Sequence, residues 1–218
     1  MAKGAFITFE GSEGCGKSTQ IDHLARHLRE LGYGVHTARE PGGTLIGEEI
    51  RHTLKHSKDN AAMTAEAELL LMNASRAQLV REVIRPALAS GEVVVCDRFY
   101  DSTTAYQGYG RQLDLKLVQT VIDIAVGDTR PDLTLLLTVT PEISELRRAL
   151  RQSTLPFMRD RIEEADRQFF ERVDRGFAAI AAAEPDRVRV VEASGSLESV
   201  SGWIGDLVRP VLPRIGRW

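Results

Sequence analysis

Along the chain, short β-rich runs, several of them continuously apolar, alternate with longer stretches in which apolar residues recur every third or fourth position. The runs fall at 5–9, 35–38, 93–96, 133–139 and 188–191, and several have no polar alternation. A strand covered on both faces needs none, so these runs predict strands of a buried parallel sheet. Ile21, Leu24, Leu28 and Leu31 form the apolar stripe of a helix, and Gly32 and Gly34 punctuate its end. Further helices are predicted over 64–89, with Pro86 as a kink or boundary, and over 113–126 and 162–183. Pro141 directly follows a strand and suits the first turn of another helix. Strand and helix in alternation predict a three-layer α/β fold with right-handed crossovers, whose ligands sit beyond the carboxyl ends of the strands.

The 218 residues suffice for one domain, 1–218, with a small mobile lid. Net charge is -3 and the isoelectric point about 6.0, a balance that predicts neither a nucleic-acid footprint nor an anionic membrane partner. Small polyanions remain open as substrates, because local basic residues can serve them inside an acidic protein. Cys15 and Cys96, the two cysteines, have no metal-ligand spacing and fit a reducing compartment. The apolar stretch after Met1 is too short for a signal peptide, and no run reaches membrane-spanning length. The expected location is the cytoplasm.

Gly11-Ser12-Glu13-Gly14-Cys15-Gly16-Lys17-Ser18 fits the phosphate-loop pattern G-x-x-x-x-G-K-[ST] without a mismatch. Glycines let the backbone curl so that successive N–H groups point at phosphate oxygens, and the helix that follows adds its positive pole. Lys17 suits the β- and γ-phosphates and the Ser18 hydroxyl suits Mg²⁺. A predicted strand precedes the loop and a predicted helix follows it, which the motif requires. The N-K-x-D motif of a GTPase is missing, since neither Asn60 nor Asn73 begins one. The 93–96 run continues into Asp97-Arg98. Asp97 can support the magnesium shell, but an arginine stands where a hydrolytic ATPase would place a glutamate. Arginine beside the transferred phosphate suits a second phosphate-bearing substrate better than hydrolysis.

Four blocks extend this reading: Phe9-Glu10-Gly11; Arg39-Glu40-Pro41-Gly42-Gly43-Thr44; Asp97-Arg98-Phe99 with Ser102-Thr103-Thr104-Ala105-Tyr106-Gln107-Gly108; and Asp160-Arg161-Ile162-Glu163. In order and spacing the chain resembles bacterial thymidylate kinases over essentially its whole length. The resemblance implies a five-stranded parallel sheet flanked by helices, usually as a homodimer. It implies transfer of a phosphoryl group from ATP to dTMP with Mg²⁺, a step towards dTTP. The other functions weighed are phosphorylation of a different nucleoside monophosphate, a nucleotide-binding regulatory module and a clamp-loader-type ATPase. Lys17, Asp97 and Arg98 all being intact argues against the regulatory module, and the length leaves no room for a clamp loader's further domains.

By the same resemblance, residues 11–18 with Thr19 bind ATP: Gly11, Ser12, Glu13, Gly14, Cys15, Gly16, Lys17 and Ser18. Ser18 and Asp97 serve the metal, and Lys17 and Arg98 are catalytic, with Arg98 gripping the acceptor phosphate. Glu10 sits near the sugar, and Arg39, Glu40 and Pro41 border the acceptor. Arg76 reaches the thymine, Ser102 or Tyr106 lines the nucleoside pocket, Tyr106 excludes a 2′-hydroxyl, and Gln107 completes the polar shell. On residue type alone, Arg76 has a competing reading as a solvated helix arginine, Tyr106 as core, Asp97-Arg98 as a surface ion pair and Glu10 as a strand cap. Gly14 stands where some family members carry arginine, so the lid, about 147–160, is expected to supply the cation from Arg148, Arg151 or Arg159, with Arg147 stacked on adenine. Two departures stand out. Residues 152–158 lengthen the lid without glycine, and Met72 occupies the position where the family commonly has a phenylalanine stacked on thymine. Cys15 reads either as a redox-sensitive thiol or as a passive small residue.

Overall fold

The computed structural model describes residues 3–57, 60–154 and 166–214, with the backbone alone at 61, 141, 148, 149 and 151–154. Five strands, β1 (Ala5–Glu10), β2 (Val35–Arg39), β3 (Val93–Asp97), β4 (Leu133–Thr138) and β5 (Val188–Glu192), form one parallel sheet in the order β2-β3-β1-β4-β5. Each of the five predicted runs is thus a strand, with ends shifted by a single residue. Nine α-helices are described: α1 (Lys17–Glu30), α2 (Leu45–Lys55), α3 (Ala65–Leu79), α4 (Arg85–Ala89), α5 (Tyr100–Thr103), α6 (Leu115–Val126), α7 (Pro141–Thr154), α8 (Arg167–Ala183) and α9 (Leu197–Val208).

Helix starts are set by side chains that accept a free backbone N–H of the first turn. Thr64 caps α3 through Ala67 N, Asp114 caps α6 through Lys116 N and Leu117 N, and Asp166 caps α8 through Phe169 N at 2.7 Å. The expected helix over 64–89 is broken by a π-helical turn at Val80–Ile84, and Pro86 opens the first turn of α4 beyond it. The helix expected over 162–183 is described only from Arg167, and residues 162–165 lie outside the described residues. The helices α2 and α9 and the π-helical segment Thr104–Gly110 carry no expectation from the pattern.

Alternation along β1 divides the core. Ile7 and Phe9 pack with Leu24 and Leu28 of α1 and Val200 and Ile204 of α9, whereas Phe6 joins Leu79, Ile84 and Ile122 beneath α3 and α6. A third cluster, of Tyr106, Leu136, Phe169, Val173 and Phe177, joins Thr104–Gly110 to α8. Register places Phe9 beside Asp97 and Arg39 beside Asp97, so three strands end level with one another.

The start of the central strand is equally constrained. Gly4 N donates to Leu88 O at 3.0 Å, and a Cβ on Gly4 would lie 2.1 Å from Glu92 O, a backbone atom. Gly4→Ala is expected to cost about 1–3 kcal/mol through overpacking. Thermal unfolding would read this as a fall of about 2–12 °C; an unchanged midpoint would mean that the join between α4 and β1 yields freely.

Candidate active site

Beyond the level ends of β1, β2 and β3 lies a cleft of about 200 Å³. Its walls include Glu13, Lys17, Arg39, Glu40, Pro41, Met72, Arg76, Asp97, Arg98, Ser102, Tyr106 and Gln107, all residues that the sequence singled out. Arg51 and Lys55 of α2, Thr103 and Phe170 also line it and were not anticipated. The first two sit on a helix whose inward face holds only Gly47 and Leu54 buried, too thin a stripe to read as periodicity.

The loop between β1 and α1 uses glycine where L side chains are strained, with φ of 128° at Gly11, 78° at Gly14 and 96° at Gly16. The Lys17 ammonium folds back onto its own loop, donating to Gly11 O at 3.0 Å and Ser12 O at 2.9 Å. Burial, then the nearby Arg98, pushes its pKa below the usual lysine range. Cys15 is buried, with its sulfur 3.6 Å from the same ammonium. Ser18 and Thr19 are exposed at the first turn of α1. Ser18 Oγ donates to Asp97 Oδ2 at 3.3 Å, and Asp97 Oδ1 is buried without a hydrogen-bond partner among the described residues. A carboxylate oxygen left unpaired beside a hydroxyl fits a hard, oxygen-seeking cation such as Mg²⁺.

The helix α7 crosses over this loop. Ser144 Oγ donates to Glu13 O at 2.7 Å, and Arg147 donates to Gly14 O and Cys15 O at 3.5 Å and to Ala193 O at 3.1 Å. The side chains of Arg148 and Arg151, and Arg159 altogether, lie outside the described residues.

Just past the end of β3, Arg98 adopts φ 67°, left-handed backbone that is uncommon for a non-glycine residue and characteristic of functional turns. It donates to Ser102 Oγ at 2.9 Å and Tyr106 Oη at 3.3 Å, with its guanidinium 5.1 Å from the Tyr106 ring centroid. Arg98 is therefore no surface ion pair with Asp97. Burial opposes its charge, but Tyr106, Glu10 and Asp97 outweigh that and hold its pKa above the usual arginine value. Tyr106 is only 7% exposed, packed against Phe169 and Phe177 in the third cluster, and also on the cleft wall, so both readings of it hold.

Arg76 lines the cleft and is 2% exposed, which excludes its other reading as a solvated helix arginine, and all its N–H groups are engaged: by Glu40 at 2.6–3.1 Å, Asn73 Oδ1 and Thr103 Oγ1 at 2.9 Å, and Phe99 O at 3.2 Å. Burial raises the Glu40 pKa despite the paired guanidinium. Glu10, expected beside the sugar, is fully buried instead. Its carboxyl accepts from Phe99 N at 2.8 Å, Ser102 N at 3.2 Å and Ser102 Oγ at 2.6 Å. At the rim, Arg39 is held by Glu48 at 2.9 Å, and Gln107 donates to the buried Glu68 at 2.7 Å.

The thymidylate kinase family profile matches residues 9–204. The chain is 46% identical to a thymidylate kinase of Geobacter sulfurreducens over 212 residues, 97% of this chain and 99% of that one. It is 46% identical to one of Chlorobium luteolum over 199 residues, 89% and 92% of the two chains. The crystal structure of thymidylate kinase from Ehrlichia chaffeensis superposes with a TM-score of 0.75 at 32% identity, covering 95% of this chain and 99% of that one.

Burial first, then the Asp101 charge, raises the Glu10 pKa from 4.5 to about 7. The folded state thus holds this proton more tightly than the unfolded chain. Its contribution to stability is fully present below pH 4.5 and is lost as pH rises through 7. Glu10→Gln, which keeps acceptor and donor but not the charge, is expected to gain on the native protein by about 3 kcal/mol across that window. Denaturant titrations of both proteins at pH 4.5 and 8 measure it; a gap that does not change with pH overturns the assignment.

Proposed function

The chain belongs to the thymidylate kinase family, which phosphorylates dTMP to dTDP, and from that premise we propose how its own residues divide the work. The donor is ATP, and the reaction is ATP + dTMP ⇌ ADP + dTDP. The observation that carries the reading is Arg98, strained in backbone and braced by Ser102 and Tyr106 at the end of the strand beside the phosphate loop.

The amides of residues 11–16 and Lys17 receive the β- and γ-phosphates, and Thr19 follows them in the first turn of α1. Ser18 and Asp97 would hold Mg²⁺, which would supply positive charge against the donor's phosphates. Arg98 takes the acceptor phosphate and, with Lys17, spans the line between donor and acceptor. Such transfer asks for positioning and charge more than covalent chemistry. Glu10 acts through Ser102, whose hydroxyl it accepts at 2.6 Å while Arg98 donates to the same oxygen at 2.9 Å. Thr103 presents the polar side of the base site, with Arg76, which donates to its hydroxyl oxygen, backing it and Glu40 fixing Arg76. Tyr106 fills the space of a 2′-hydroxyl. Arg39 and Pro41 border the acceptor, with Gln107 held ready by Glu68.

Residues 147–160 act as a lid of the single domain, Arg147 towards adenine, with the cation supplied by Arg148, Arg151 or Arg159. No described helix is long and apolar enough to cross a membrane, which is compatible with a cytoplasmic enzyme. A homodimer forms through α3 and α6, neighbouring helices that expose Leu70, Leu117 and Ile124.

The test is ADP formation from ATP and Mg²⁺ with each of dTMP, dUMP, dGMP, dCMP, AMP, GMP, CMP and UMP. A strong preference for dTMP supports the reading; comparable use of another monophosphate retires it. Lys17→Ala is expected to abolish turnover with an unchanged melting curve, because its neutral acceptors are loop carbonyls that water can serve. Retained turnover removes Lys17 from the mechanism. Arg98→Ala is expected to lower kcat/KM for dTMP by about 10²-fold, the loss of a charge-assisted contact, with KM for ATP little changed. A defect confined to ATP moves Arg98 to the donor.

A further inference from the structure

Met72 leaves the cleft without the aromatic ring that the family commonly places on that helix, yet a ring does line the same cavity, from the opposite element. We propose that Phe170 of α8 is a specificity-determining wall of the acceptor base site, facing Met72 of α3 across it. Thr104–Gly110, which carries Tyr106 and Gln107 of the same cavity, packs on α8 and on α3, so the two apolar side chains approach the base from elements on either side.

The ring is held from behind. Phe170 meets Phe169 edge to face, with centroids 5.3 Å apart at 84°. Phe169 is 2% exposed and is covered by the Arg111 guanidinium at 4.6 Å from its centroid. Arg111 in turn donates to Glu68 Oε2 at 3.1 Å. Glu68 lies on α3 one helical turn before Met72, hence on the same face. A continuous strut therefore runs from the helix that bears Met72 back to the ring across the cavity. Glu68, fully buried, also accepts from Gln107 at 2.7 Å, which ties a polar wall to the same strut. A pyrimidine presents two flat π-faces. A thioether packs against one with little directional preference, whereas a ring fixed at its edge constrains the plane of the base. Orientation thus falls to α8, and Met72 fills the other side.

This assignment rests on the cleft being the dTMP site. Phe170 also packs at the margin of the third core cluster, so the experiment must separate a wall from a core residue. Steady-state kinetics, with each substrate varied at saturating amounts of the other, and thermal unfolding would be measured for the native protein, Phe170→Leu, Phe170→Trp and the double variant Met72→Phe with Phe170→Leu. Phe170→Leu is expected to raise KM for dTMP about tenfold, the loss of one base–aromatic stack, with KM for ATP unchanged. Phe170→Trp is expected to restore it, and Met72→Phe to recover part of the loss by supplying a ring from the other side. A rise in both KM values together with a lower melting temperature, or no change in KM for dTMP, overturns the proposal. If the native protein prefers a different monophosphate, the dTMP reading fails and the proposal with it. If it prefers dTMP while Phe170→Leu is indifferent, this assignment alone falls.

Discussion

The Glu10 carboxyl, at the last residue of the central strand, accepts from Phe99 N, Ser102 N and Ser102 Oγ. One end of that residue leads directly into the phosphate loop, and the groups it binds begin the segment that carries Arg98, Ser102 and Tyr106. The carboxyl therefore fixes the phosphate loop and the segment with Arg98 to a common reference. A buried carboxyl with fewer partners would be destabilising, because an unpaired polar group in the interior costs more than a formed hydrogen bond returns. Three donors converging on it stabilise the turn at Phe99, and that turn in turn constrains Arg98 at its left-handed φ. Asp101, next along, is satisfied separately by Arg187 at 2.7 Å and by Thr134, which bonds Thr8 across the sheet at 2.8 Å. The acceptor segment is thus pinned from below by two carboxylates that do not compete for partners.

A second buried pair does the same for α3. Arg76 and Glu40 join the helix to the turn after β2, and each is nearly inaccessible to water. Such a pair contributes little net stability compared with an apolar replacement, but breaking it by removing one member costs about 3–5 kcal/mol. Its value lies in direction: with every N–H of Arg76 engaged, the helix that presents Met72 and Glu68 has one allowed position relative to β2 and β3. Pre-positioned polar walls suit a reaction in which geometry and charge supply most of the acceleration.

The inner strands β1, β3 and β4 were legible because buried parallel strands need no polar face, and the phosphate loop because its spacing leaves few alternatives. Helix ends were legible to within a residue or two where a capping residue stood at the boundary, as at Thr64 and Asp114. Other features were hidden by their physics. In α2, Leu45 and Ile46 are exposed and the buried stripe is short, so periodicity did not announce it. The π-helical turns follow no 3.6-residue repeat. Arg76 could be placed in the cleft only by resemblance, because nothing local distinguishes a buried arginine from a solvated one; its partner Glu40 lies 36 residues away. Phe170 sits beside Phe169 in a helix that reads as amphipathic, and which of two adjacent rings faces the cavity is settled by tertiary packing.

The resting position of Lys17 bears on how the donor enters. Burial disfavours an ammonium, and the loop offsets this by turning the carbonyls of Gly11 and Ser12 towards it. These are neutral acceptors, whereas a phosphate oxygen carries negative charge and adds a full Coulombic attraction for the ammonium. Exchange of carbonyls for phosphate is therefore favourable without any need to desolvate the lysine, which is already only 8% exposed. The same logic applies to Asp97, whose Oδ1 has no hydrogen-bond partner among the described residues and so suits the cation proposed for this site. In the proposed reading both groups already stand at the loop, so that nucleotide binding would complete it rather than rebuild it.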